Sequence, residues 1–157
     1  MNLLPLFQWF DSTALSKVIR DSTYIFPVVE VFHLFGLTLL LGTVTVMSMR
    51  MLGLGMRRQS VYQVARNLMP WSFWAAVLTI VSGILLFLSE AMKCYGNAAF
   101  PWKMYFLGAG ILVYLLWQRR VAHPDSKMGS GQLKVLAIVT LVLWYGVALA
   151  GRAIAFV

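Results

Sequence analysis

Long apolar runs alternate with short polar segments along the chain. Four of these runs, at about 24–49, 71–92, 100–120 and 133–154, contain few charged residues. Each is close to the roughly 20 residues that an α-helix needs to cross the hydrocarbon core of a bilayer. Helices satisfy their backbone polar groups internally, as lipid requires. The pattern therefore predicts an all-α integral membrane bundle of four transmembrane helices, forming a single domain over residues 1–157.

Two shorter segments have the pattern of helices at the membrane surface. Residues 3–19 are rich in leucine and aromatic residues but are interrupted by Pro5 and Asp11. We therefore predict an amphipathic N-terminal segment in the interface rather than a signal peptide, with Asp11 or Ser12 capping a short helix. Residues 59–68 alternate apolar and polar positions at helical spacing, which predicts a short interfacial helix after the first span.

Composition and charge support the membrane class. The chain is 61% hydrophobic and 11% charged, whereas a soluble domain has about 25% charged residues. The net charge of +8 does not indicate a nucleic-acid partner, because many basic residues fall in two loops where they meet lipid headgroups. These loop residues are Arg50, Arg57, Arg58, Arg66, Arg119, Arg120, Lys127 and Lys134. The positive-inside rule then predicts two cytoplasmic loops and both termini on the outer side.

Ionisable residues inside the apolar runs are the most informative polar positions. A helix rises about 1.5 Å per residue, so Glu30 and His33 lie roughly 9 Å and 13 Å below the outer end of the first span. Glu90 ends the second span, Lys103 opens the third, and Arg152 lies in the last turns of the fourth. Since alternate hairpin ends meet, all five residues are expected in the same half of the membrane, where such groups mark functional sites.

A purely structural explanation exists for each of these residues. Glu90, Lys103 and Arg152 are near enough to helix ends to reach water. Glu30 and His33 are deeper and share one helical face, so they are expected to tie helices together, Glu30 through Arg152 or Lys103 and His33 through a hydroxyl. On this structural explanation, the protein is a cofactor-free structural or accessory subunit. Its partners are further copies of itself or a larger membrane complex.

Haem b is one ligand that fits the same residues. His33 is a candidate axial ligand, Gly36 beside it leaves space for the macrocycle, and Lys103 and Arg152 pair with the propionates. The candidate cofactor-binding residues are His33, Glu30, Lys103, Arg152 and Glu90. The other histidine of the chain, His123, falls in the opposite loop. The haem would therefore be five-coordinate, or its second axial ligand would be a Met or Lys residue or come from a second copy of the chain.

Copper and a proton relay are the remaining chemistries. The candidate metal ligands are His33, Met92, Cys94 and Met104, because soft sulfur ligands suit Cu(I) and all four fall in the outer half. With nine methionines in the chain, some near any site are expected from packing alone. A proton or anion relay would use Glu30 and His33. The Glu30-x-x-His33 spacing is also half of a di-iron motif, which needs a second copy and more carboxylates.

Four sequence elements resemble those of a family of small bacterial four-helix membrane proteins of unassigned function. They are IRDSTYIFPVVEVFHLFGLTLLLG at 19–42, MRMLGLG at 49–55, NAAFPWKM at 97–104 and WYGVALAGRAIAF at 144–156. The resemblance covers nearly the whole chain, and the spacing of Glu30, His33, Arg50, Lys103 and Arg152 is its most specific part. It implies a multi-pass protein of the bacterial inner membrane.

More remotely, a first-span histidine with a lysine opening the third span is similar to CopD-type copper-resistance proteins and HemJ-type protoporphyrinogen oxidases. The HemJ-type resemblance implies b-type haem on the first-span histidine. It makes His33 the axial ligand and Lys103 a contact to the porphyrin or substrate. Those relatives tend to have a second histidine late in the third span, where this chain reads VYLLWQ at 113–118. That departure argues against haem held by two histidines.

Overall fold

A computed structural model describes residues 3–56, 58–121 and 128–154, and only the backbone of 117–120. In these ranges seven helices follow one another: α1 (Leu4–Ser12), α2 (Ala14–Asp21), α3 (Ile25–Leu52), α4 (Val61–Ser89), α5 (Ala91–Gly96), α6 (Ala99–Val121) and α7 (Ser130–Ile154). Four of them, α3, α4, α6 and α7, are long and apolar enough to cross a membrane. The predicted all-α fold with four spanning helices is confirmed.

Two ends of the bundle are distinguished by their connections. We call the end that carries α5 the α5 end and the opposite end, with the α3–α4 connection, the loop end. Arg57, His123 and Lys127 lie outside the described residues, as do the side chains of Arg119 and Arg120.

Helix α3 begins and ends at residues that suit those positions. The Ser22 hydroxyl accepts hydrogen bonds from the backbone N–H groups of Tyr24 (3.4 Å) and Ile25 (3.1 Å), which the first turn of a helix otherwise leaves unpaired. At the other end Gly53 has φ of 81° and closes the helix in the left-handed conformation. Glycine is favoured there because it has no Cβ to clash with the backbone.

Helix α4 begins ten residues before the predicted second span. A capping box between Ser60 and Gln63 starts the helix at Val61, and the helix continues through Pro70 to Ser89. The residues predicted as a separate interfacial helix, 59–68, therefore form mainly the first turns of α4. Its 29 residues span about 43 Å, more than the roughly 30 Å hydrocarbon core, so these turns extend beyond that core. The carbonyl left unbonded by Pro70 can meet water there.

The N-terminal segment forms two helices that pack on the bundle. The cap of α2 is Thr13, whose hydroxyl accepts from the Ser16 N–H, rather than Asp11 or Ser12 as predicted. Asp11 instead forms an ion pair with Arg20 at 2.7 Å. Ser16 and Ile19 are the buried residues of α2, which packs against α4. The amphipathic prediction holds, but this segment also covers part of the protein.

Aromatic rings join α1 to the α5 end. Phe7 of α1 is buried, and its ring centroid lies 5.7 Å from that of Phe87, 5.2 Å from that of Tyr95 and 6.2 Å from that of Phe100. Phe87 of α4 and Phe100 of α6 are themselves stacked at 5.5 Å. The N-terminal helices thus close one end of the bundle over the place where α4 and α6 meet.

The short connection between α4 and α6 is mostly helical. Helix α5 continues to Gly96, and only Asn97 and Ala98 separate it from α6. The Asn97 side chain accepts from the Ala99 N–H at 2.9 Å and donates to the Ile154 carbonyl at 3.2 Å. One buried amide therefore caps the start of α6 and holds the end of α7 beside it.

Inside the bundle α3 packs against both α4 and α7, and α7 packs against α6. A central layer contains Leu40, Val44, Ala75 and Trp144, and these residues are almost fully buried. A second layer toward the loop end contains Met47, Met51, Val64, Ala65, Val121 and Ala137. In the described residues α4 and α6 contact each other sparsely, so the ring of four helices is closed less tightly on that side.

Helices α3 and α4 approach each other closely at Gly36. A Cβ placed on Gly36 would lie 2.7 Å from the Thr79 hydroxyl oxygen and 3.1 Å from the Thr79 backbone nitrogen. Small residues at such positions are the usual means by which membrane helices pack their backbones together. The space beside Gly36 is therefore occupied by α4, and the prediction that it accommodates a porphyrin is wrong.

We expect Gly36→Ala to destabilise the protein by about 1–3 kcal/mol, because the added methyl meets backbone atoms of α4 that have no room to move. The matched control is Gly42→Ala in the same helix, where a Cβ meets nothing within 4 Å. That variant should be neutral or gain up to about 1 kcal/mol in helix propensity. Unfolding in mild detergent measures both, and equal effects would contradict the close-packing argument.

Candidate functional site

His33 is held in place by α4. A Cβ on Gly83 would lie 3.1 Å from His33 Cε1, so the missing side chain makes room for the ring. The His33 Nδ1 atom lies 3.1 Å from the Thr79 carbonyl oxygen and 3.0 Å from the Ser82 hydroxyl oxygen. The predicted bond of His33 to a hydroxyl is thus present. The ring is half-buried between two spanning helices.

The hydrogen-bond partners determine which ring nitrogen carries the proton. A carbonyl oxygen only accepts, so Nδ1 must donate to Thr79. The Ser82 hydroxyl directs its own hydrogen to the Leu78 carbonyl at 2.6 Å, so it too accepts from Nδ1. In the neutral imidazole Nε2 then has a free lone pair. Histidines that bind metals almost always donate their other nitrogen in this way. His33 is therefore oriented as a ligand or hydrogen-bond acceptor through Nε2.

Lys103 lies at the same level without a carboxylate partner. It is half-buried in the second turn of α6, and its Cε and Nζ lie 3.6 and 3.7 Å from where a Cβ on Gly151 would be. Its charge is close enough to act on both His33 and Cys94. Among the described residues no carboxylate forms an ion pair with it. A partly desolvated ammonium without a counter-charge is costly, so this position suits an anionic ligand.

The other predicted cofactor-binding residues lie at the α5 end but in different surroundings. Glu90 follows the last residue of α4 and forms an ion pair with the exposed Lys93, rather than with Lys103. Glu30 is exposed on α3, and within the described ranges it makes no hydrogen bond or ion pair with Lys103 or Arg152. Arg152 is exposed on α7, next to the glycine that Lys103 contacts. In the described part of the chain neither glutamate is therefore paired with Lys103.

The predicted copper ligands show little organisation as a metal site. Met92 and Met104 are exposed, while Cys94 is half-buried in α5. Burial raises the pKa of the Cys94 thiol, and this effect is larger than the opposing effect of the nearby Lys103 charge. The free thiol therefore stays protonated at neutral pH. In the described part of the chain no three His, Cys, Asp or Glu residues are grouped so that they could hold a metal ion.

Residues of α4 that orient His33 were not identified as site residues from the sequence. Ser82 and Gly83 were recognisable only as small residues that permit close helix packing, and Thr79 gave no signal because its backbone carbonyl makes the contact. A carbonyl has no sequence signature. Asn97 was likewise not identified from the sequence, although its amide joins α6 to α7.

Together these features define a small four-span membrane protein whose first and third spans place a histidine and a lysine at one end of the bundle. The four apolar helices are compatible with an integral membrane protein in contact with a lipid bilayer. The chain belongs to the family of unknown function DUF6644, whose model matches residues 6–157. No curated protein and no solved structure matches the chain.

We expect His33 to be a neutral imidazole protonated on Nδ1, because both its partners accept hydrogen bonds from that atom. Nitrogen-15 NMR of histidine-labelled protein in bilayers distinguishes the two tautomers, and His123→Gln assigns the remaining signal to His33. Ser82→Ala should weaken the bond but keep the tautomer, since the Thr79 carbonyl remains. A His33 signal protonated on Nε2 would contradict this geometry.

Proposed function

We propose that this protein binds haem b in the α5-end half of the bundle. His33 Nε2 is an axial ligand, and the Lys103 ammonium pairs with a carboxylate of the cofactor. Bound haem would supply redox or ligand-binding chemistry at the iron, while the protein orients the imidazole and neutralises the carboxylate charge. The observation that carries the proposal is the hydrogen bond from His33 Nδ1 to the Thr79 carbonyl, which leaves the opposite nitrogen available.

The positive charge of Lys103 favours an anionic ligand over a bare metal ion. A cation next to a half-buried ammonium would be repelled, whereas a macrocycle with carboxylates brings the charge that Lys103 lacks among the described residues. The propionates of haem meet this requirement, and its iron is the kind of centre that a neutral imidazole binds. The remote resemblance to HemJ-type proteins, which implies haem on the first-span histidine, agrees with this assignment.

The position of α4 relative to α6 supports access of a macrocycle to His33 from the side, out of the bilayer. These helices meet at the stacked rings of Phe87 and Phe100 and, toward the loop end, where the Tyr114 hydroxyl lies 3.2 Å from that of Ser72. His33 contacts α4 between these two levels, where described contacts between α4 and α6 are sparse. Since Gly36 is covered by Thr79, a macrocycle has to lie on the side of the imidazole away from Gly36.

A cofactor-free structural role is the second candidate. The same two hydrogen bonds from His33 tie α3 to α4 whether or not a ligand is present. Exposed Glu30 on a spanning helix then indicates contact with further copies of the chain or with a larger membrane complex, because a charge facing lipid is costly. Copper or proton transport has less support, given the protonated Cys94 thiol and the exposed methionines.

Protein purified in mild detergent from cells supplied with a haem precursor should show a Soret band at close to one haem per chain. His33→Ala should abolish it. Lys103→Met removes a charge-assisted contact worth roughly 1.5–3 kcal/mol and should weaken haem binding about tenfold to a hundredfold. The matched control is Lys93→Met, a lysine at the same end that is exposed and already paired with Glu90, and it should bind normally.

Folded wild-type protein without a Soret band, which also fails to take up added haemin, would overturn the proposal. Metal analysis of the same sample then separates the alternatives. Stoichiometric copper that is lost in Cys94→Ser would indicate a copper site. A colourless, metal-free protein that His33→Ala destabilises would indicate the structural role.

We also propose that the protein resides in a bacterial inner membrane with its loop end in the cytoplasm and both termini outside. The exposed side chains of Arg58 and Arg66 lie at the loop end, as the positive-inside rule requires. Alkaline phosphatase fused after Gly96 should be active, and the same enzyme fused after Gly55 should be inactive. The reverse pattern would contradict this orientation.

A further inference from the structure

A second group of polar side chains surrounds a small cavity inside the bundle, away from His33. We call this group the hydroxyl cluster. Its members are Thr43, Ser48, Ser72, Tyr114 and Thr140, and they come from all four spanning helices. The cavity that they line together with the apolar residues Val44, Met47, Met51 and Leu68 has a volume of about 20 Å³. Thr43, Ser48 and Ser72 are each less than 10% exposed, so the cavity lies in the interior.

Most hydroxyl hydrogens of the cluster are already committed. Thr43 donates to the Leu40 carbonyl at 2.8 Å, and Thr140 donates to the Leu136 carbonyl at 2.7 Å. Ser72 donates to the Met69 carbonyl at 3.1 Å, so the contact between Ser72 and Tyr114 is a bond that Tyr114 donates. The oxygens of Thr43, Thr140 and Ser72 therefore retain lone pairs and have no further hydrogen to give. The cavity needs a hydrogen-bond donor.

Ser48 is the member without a partner. Its residue is 1% exposed, it lines the cavity, and its hydroxyl makes no hydrogen bond to any described residue. A buried hydroxyl in an apolar environment is costly when it has no partner. Ser48 lies only four residues before the end of α3, but its surroundings are protein rather than bulk water. A ligand in the cavity would satisfy it.

The size and chemistry of the cavity select one occupant. A cavity holds a water molecule when its volume exceeds about 10–15 Å³ and two to four polar partners surround it. A metal cation fits poorly, since no carboxylate lines the cavity to balance its charge. We propose that the hydroxyl cluster binds a single water molecule, which accepts a hydrogen bond from Ser48 and donates to two of the threonine and serine oxygens around it.

Such a water molecule connects helices that otherwise meet through apolar contacts. Ser48 and Thr43 belong to α3, Ser72 to α4 and Thr140 to α7, so one molecule can join three helices. Toward the α5 end, the packed layer of Leu40, Ala75 and Trp144 separates the cavity from the level of His33. The bound water is therefore an internal link of the bundle and not part of the proposed haem site.

Water-edited solid-state NMR of the full chain in deuterated lipid bilayers tests this proposal. Magnetisation from water should reach the side chains of Ser48 and Thr140 early. Thr38 provides the internal control, because it is a hydroxyl residue of the same helix that faces outward and donates to the Leu34 carbonyl. It should receive no early signal. A Ser48 signal as slow as that of Thr38 would show a dry cavity and overturn the proposal.

A double variant identifies the water partners. Thr43→Val combined with Thr140→Val preserves side-chain volume but removes two acceptors, so the early Ser48 signal should disappear. The matched control, Thr38→Val, should leave that signal unchanged. Persistence of the Ser48 signal in the double variant would place the water elsewhere and contradict the assignment. If the double variant is poorly produced, the wild-type comparison of Ser48 with Thr38 still decides.

Discussion

The contact between α3 and α4 at Gly36 and Thr79 is the constraint on which the rest of the structure depends. The two helices approach so closely that even one methyl group at Gly36 would meet the backbone of α4. This approach brings the Thr79 carbonyl within hydrogen-bonding distance of His33, one turn away on α3. In lipid, helices gain little from hydrophobic association, so close packing and interhelical hydrogen bonds have to hold them together. The same contact therefore stabilises the bundle and orients its histidine.

The proposed function follows from an imbalance of charge at the α5 end. Glu90 is engaged by Lys93 and Glu30 is exposed, so neither is paired with Lys103. What remains beside the oriented imidazole is a positive charge. An imidazole with a free Nε2 next to an ammonium suits a ligand that combines a metal centre with carboxylates, which is why haem b is preferred over a copper ion. In the cavity of the hydroxyl cluster, by contrast, the polar side chains are all neutral hydroxyls, and water is a sufficient ligand for them.

The sequence predicted the fold in more detail than the site. Hydropathy located all four spans because each needs a long apolar surface, and the hairpin order then placed Glu90, Lys103 and Arg152 at one end. The predicted helix boundaries were less accurate where two features of the sequence pointed to different starts for the same helix. The alternating pattern at 59–68 and the apolar run that begins near 71 suggested two helices, yet a proline in the headgroup region costs little and one helix continues through Pro70. For the site, the sequence singled out His33 and predicted its bond to a hydroxyl, but it did not predict that the partners belong to α4.

What the sequence by itself determined is the set of four spans and the end of the bundle at which the ionisable residues lie. These follow from the helical rise and the thickness of a bilayer, and both are independent of neighbouring helices. Only the tertiary structure decided the rotation of each helix about its axis. That rotation turns His33 toward a backbone carbonyl, leaves Glu30 exposed and fills the space beside Gly36 with Thr79. It depends on the packing of side chains against all neighbours at once, which no single apolar run encodes.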